Sequence, residues 1–71
     1  MFVYKLYNIE TGDITLYATK EKAKEQLWEL YVNSEYYKTD TDEMKRGVKK
    51  EFDFEDTISD LGCVDAVEVI L

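Results

Sequence analysis

Residues 2–9 constrain the fold more than any other stretch. Phe2, Tyr4 and Leu6 alternate with Val3, Tyr7 and Ile9, so a strand here carries apolar groups on both faces, in a segment rich in β-branched and aromatic residues. Such a strand belongs between neighbours rather than at a wet edge. Glu10-Thr11-Gly12-Asp13 supplies turn chemistry, and Ile14, Leu16 and Ala18 then alternate with Thr15 and Tyr17, which predicts a β-hairpin. Cys63–Leu71 carries Val64, Ala66, Val67, Val69, Ile70 and Leu71 and reads as a second strand with two apolar faces, expected beside the first. In that order the Phe2 strand is central. The Ile14–Ala18 strand takes an edge with no lysine or proline to blunt it, which leaves a homodimer through edge pairing open.

Between the hairpin and the last strand the period changes to that of helices. Thr19 is placed to cap a helix opening at Lys20, with Ala23, Leu27, Leu30 and Ser34 as the stripe facing the sheet. Trp28, Val32 and Tyr36 lie on another side of that helix, bordered by Glu21, Glu25 and Glu29. This ridge is either packed under the helices after Asp40 or exposed as an aromatic anchor for a partner. The pattern lapses over Glu35–Asp40. Asp40 and Glu43 form a capping pair for a helix starting near Thr41, in which Met44, Val48 and Phe52 are spaced by four. Phe54, Ile58 and Leu61 restart the pattern in a new phase, so a break capped by Asp53 is expected, with Gly62 as the helix stop. The expectation is one α+β domain over residues 1–71: a three-stranded antiparallel sheet, in the order ββααβ or ββαααβ, with helices packed on one face.

Composition excludes most enzyme designs. The chain of 71 residues has no histidine, so the usual general base, the nucleophile dyads built on it and the commonest metal ligand are missing. Gly12, Gly47 and Gly62 lie too far apart for a phosphate-cradling loop. Asp40-Thr41-Asp42 with Glu51 touches a calcium-loop template, but Lys45 stands where that loop needs glycine. No catalytic residue, metal or cofactor is expected. The single Cys63 forms no internal disulfide and reads as a small core residue. With no secretory pattern and no membrane-length apolar run, a cytoplasmic protein is expected.

Charge is the most informative feature left. Met1–Lys50 holds nine acids and nine bases, whereas Glu51–Leu71 holds seven acids and no base, which accounts for the whole net charge of −7. That charge argues against direct binding to nucleic acid or to anionic membranes. Glu51, Asp53, Glu55, Asp56 and Asp60 are the candidate partner-binding acids, with Trp28 and Tyr36 as anchors. They form either a solvated face or an acidic surface for a protein partner with a basic groove.

The opening Met1–Tyr7, the turn and then Tyr17-Ala18-Thr19-Lys20-Glu21-Lys22-Ala23-Lys24-Glu25 resemble small accessory proteins carried by bacteriophages and mobile elements. The resemblance covers roughly the first 33 residues and assigns no residue a role. It implies a non-enzymatic inhibitor or adaptor aimed at host machinery in the host cytoplasm, of the acidic kind that imitates DNA to block restriction, CRISPR or repair enzymes. The alternative expectation is a self-associating structural or regulatory module, working through a sheet edge or the Trp28 ridge.

Overall fold

The computed structural model describes residues 1–70; Leu71, expected in the last strand, lies outside them. The elements run β1 (Phe2–Asn8), β2 (Ile14–Tyr17), α1 (Lys20–Val32), α2 (Glu35–Thr39), α3 (Asp42–Glu55), β3 (Thr57–Ile58) and β4 (Gly62–Glu68). The strands make one antiparallel sheet in the order β2-β1-β4-β3. The class is therefore α+β, with β1 inside, β4 beside it and β2 at an edge. The sheet has four strands where three were expected, because β3 is only two residues long and carries no alternation to betray it.

Register divides the sheet into two faces. Leu6 lies in one row with Thr15 and Val64, and this row points to the helices; Lys5 lies with Leu16 and Asp65, and Tyr7 with Ile14 and Cys63, on the opposite side. The hairpin turn is closed by the Asn8 side chain, whose Oδ1 accepts from the Glu10 and Thr11 N–H groups at 3.0 and 3.3 Å, and by Gly12 at φ +77°.

Helix α1 starts as expected: Thr19 is extended and its hydroxyl accepts from the Lys22 N–H at 3.2 Å. Its buried stripe, however, is Ala23, Leu27 and Tyr31, one residue every four, packed with Leu6, Phe52, Ile58, Leu61 and Val64. Leu30, expected in that stripe, is at the exposed rim. Ser34 is outside the helix altogether and caps α2, accepting from the Tyr37 N–H at 3.3 Å. The lapse in pattern over 35–40 is thus a short helix of its own.

Two further expectations are corrected around α3. Thr41, not Asp40, is its cap, accepting from the Met44 N–H at 3.2 Å. The helix then passes through Asp53 without a break and stops at Asp56, which adopts the left-handed conformation at φ +56°. Aspartate tolerates that region better than most residues, so the stop is an acid where a glycine was expected. Phe54 is consequently stranded on the solvent side at 87% exposure, while Ile58 belongs to β3 and Leu61 to the turn before β4. Gly62 opens β4 rather than ending a helix.

Candidate functional site

Four elements converge at one place: the end of α1, α2, α3 and the β3–β4 turn. Tyr31 ends the buried stripe of α1, and Asp40 ends α2, its own N–H bonded to the Tyr36 carbonyl at 2.8 Å. The Tyr31 hydroxyl donates to Asp40 Oδ2 at 2.7 Å. From α3, Met44, Val48 and Glu51 arrive on successive turns, as the helical period requires. From the turn, the Ser59 hydroxyl donates to Glu51 Oε1 at 3.0 Å. Asp60 follows at φ +70° in a turn closed by the Leu61 N–H on the Ile58 carbonyl.

These groups enclose a cleft of about 190 Å³. Its apolar wall comprises Tyr31, Tyr36, Met44, Val48, Ile58 and Leu61, and its polar groups are Asp40, Glu51, Asp60 and Ser59. Among the described residues no lysine or arginine lines it. Two carboxylates are held by hydroxyl donors, which fix the acceptors without cancelling their charge.

The other sequence-selected residues contrast with this. Asp53 pairs with Lys49 at 2.8 Å, and Asp56 with Lys20 at 2.7 Å and Lys24 at 3.0 Å. Partial burial by itself would push the Asp56 carboxyl up, but the hydrogen bonds and charges of the two lysines outweigh it and hold the group below its ordinary value. Asp56 therefore ties the end of α3 to the first turns of α1. Because α3 ends there, Asp56 and Asp60 do not share a helical face. Glu55 is exposed near the end of α3, beside Lys50 and Phe54. Trp28 lies in the seam between α1 and α3, its ring 5.2 Å from those of Tyr31 and Phe52, with Lys49 Nζ 5.3 Å from its centre. Val32 stays exposed and Tyr36 is carried on α2, so Trp28, Val32 and Tyr36 do not form one ridge. Of the seven selected residues, Tyr36, Glu51 and Asp60 meet at the cleft.

Tyr31 and Asp40 escaped the sequence reading. Tyr31 is one residue from Leu30, which drew the stripe, and Asp40 was absorbed by a capping pattern. The available signal was that Ala23, Leu27 and Tyr31 are also spaced by four.

Burial, the hydrogen bond to Asp40 and the nearby charge of Asp40 push the Tyr31 hydroxyl up from 10.0 to about 12. The neutral phenol is favoured in the folded state, so its stabilising effect is complete below pH 10 and is lost as the pH rises toward 12. Urea denaturation at stepped alkaline pH should show stability declining through that window. Tyr31→Phe should flatten the decline, and an unchanged slope in the variant would contradict the placement of Tyr31.

Comparison with protein-family models, with curated proteins and with solved structures finds no match to this chain.

Proposed function

We propose that this chain is a non-enzymatic binding protein, an inhibitor or adaptor, whose cleft takes a basic side chain from a protein partner. The observation that carries this reading is the cleft's charge: Asp40 and Glu51 are fixed by neutral donors, Asp60 stands at the rim, and no described cation lines the space. At about 190 Å³ the cleft is below the roughly 300 Å³ at which small-molecule sites begin, and it suits one long side chain. An arginine or lysine stem would lie along Met44, Val48 and Tyr36, as such stems do on apolar surface. Its head would meet carboxylates in charge-assisted hydrogen bonds. The net charge of −7 draws basic surfaces toward the chain over a distance of the order of a Debye length, roughly 10 Å at moderate salt. A partner that handles nucleic acid, with a basic groove, has the complementary chemistry; nucleic acid itself and anionic membranes have the opposite one.

An NMR titration with N-acetyl-arginine amide, against its neutral citrulline counterpart, tests the site without knowing the partner. Arginine should shift resonances of Tyr36, Met44, Ser59 and Asp60, and citrulline should not. The double substitution Glu51→Gln/Asp60→Asn should weaken arginine binding about tenfold, roughly 1.4 kcal/mol. Equal responses to the two ligands, or shifts scattered over the surface, would count against it.

A further inference from the structure

The face of the sheet away from the helices is uncovered among the described residues, and the chain is only 15 Å across its thinnest dimension, one helix layer on one sheet layer. An open face of an antiparallel sheet is normally polar. Here it presents Val3, Tyr7, Ile14, Leu16, Cys63 and Val67, with Leu16 at 60%, Ile14 at 58% and Val67 at 37% exposure. The thiol of Cys63, expected in the core, belongs to this face and donates to Asp65 Oδ2 at 3.6 Å. Two charges interrupt the patch, Lys5 and Asp65, and they are register partners on neighbouring strands.

We infer that this face is covered by a second copy of the chain, packed sheet on sheet about a two-fold axis that runs along the strands between β1 and β4. The charge pattern selects both the occupant and the axis. One positive and one negative group side by side form a patch complementary to itself, provided the rotation exchanges the two strands. The chosen axis sets Lys5 over the partner copy's aspartate and Asp65 over its lysine. An axis running across the strands would oppose lysine to lysine and aspartate to aspartate. With the same exchange Val3 faces the row of Val67, Tyr7 faces that of Cys63, and Ile14 faces Thr57, because each pair shares a row in the register. Sheets packed this way lie about 10 Å apart. The helices, and the acid-rimmed cleft with them, remain outward on both copies.

The area bounds the expected strength. With this axis β1 and β4 cover each other, two strands of about 4.8 Å spacing and seven residues of about 3.3 Å, or roughly 220 Å² in plan per copy, while β2 meets only the two-residue β3. That is below the size of stable specific interfaces, so the dimer is a weak, transient one that depends on concentration.

Sedimentation velocity on four samples tests the arrangement. Wild type should pass from monomer to dimer between about 1 and several hundred μM. Asp65→Lys alone and Lys5→Asp alone should each remain monomeric, since each makes the patch repel its own copy. The two variants mixed should dimerise again, because each supplies the charge the other lacks. Wild type that stays monomeric would overturn the inference, and so would a dimer that persists in both single variants, as edge pairing through β2 would give. Should either variant fail to fold, wild-type NMR spectra across the same concentrations decide. Shifts at the side chains of Val3, Tyr7 and Val67 support the face, and shifts confined to the backbone amides of β2 overturn it.

Discussion

Gly62→Ala should cost about 3 kcal/mol of folding stability, at the upper end of what forced overpacking typically does. A Cβ at this position would collide with the Tyr7 carbonyl oxygen of β1 and come within 3.3 Å of Leu27 Cδ1 on α1. Neither neighbour yields easily: the first is backbone in a central strand pair, and the second is a fully buried side chain. For a domain of this size total stability is roughly 4–10 kcal/mol, so the variant should lose a large fraction of it. Urea denaturation should show a lowered midpoint with an unchanged slope. Alanine ordinarily exceeds glycine in stability in a regular element by about 0.5–1 kcal/mol, so a gain in stability, or a loss below about 1 kcal/mol, would contradict the close approach of β1, β4 and α1.

Phe52→Ala should be comparably damaging, about 4 kcal/mol, as large-to-small changes at buried aromatics are. Phe52 is 4% exposed; its ring lies 5.2 Å from Trp28, and Lys24 Nζ sits 4.6 Å from the ring centre. It is the one fully buried side chain of α3, so its removal should loosen the whole helix from α1. The emission of Trp28, the chain's single tryptophan, should move to longer wavelength together with the drop in stability. A stability change below about 1 kcal/mol with unaltered emission would mean that α3 is not held through this residue.

Strands β1, β2 and β4 and the start of the first helix were legible because their signals are local. Alternation over residues 2–9 on both faces, turn residues at 10–13 and Thr19 before the helical period each specify a backbone conformation without help from distant contacts. The two apolar faces of β1 and β4 also carried the uncovered side of the sheet, although the sequence alone reads such strands as buried on both sides. The end of α3 was not legible, for a physical reason. Its stop is the left-handed Asp56, stabilised by Lys20 and Lys24, which are more than thirty residues away in sequence. Gly62, the glycine that resembled a stop, is instead required by the approach of another strand. The site was half legible: Glu51, Asp60 and Tyr36 stood out by charge and aromaticity, but Asp40 joins them only through the Tyr31 hydroxyl. Which acids are neutralised depends on tertiary ion pairs, which spacing does not encode. Asp53 and Asp56 looked equivalent to Glu51 in the sequence and differ from it in their lysine partners.

On the proposed reading, unneutralised carboxylates at the cleft govern partner binding. The most direct test of this claim is the affinity for the protein partner captured from the source cell, measured across a salt series for wild type and for Glu51→Gln/Asp60→Asn. Wild-type affinity should fall steeply as salt rises, mainly through slower association. The double variant should bind about tenfold more weakly at low salt and show a flatter dependence, with folding unchanged. Affinity indifferent both to salt and to the two substitutions would contradict the claim.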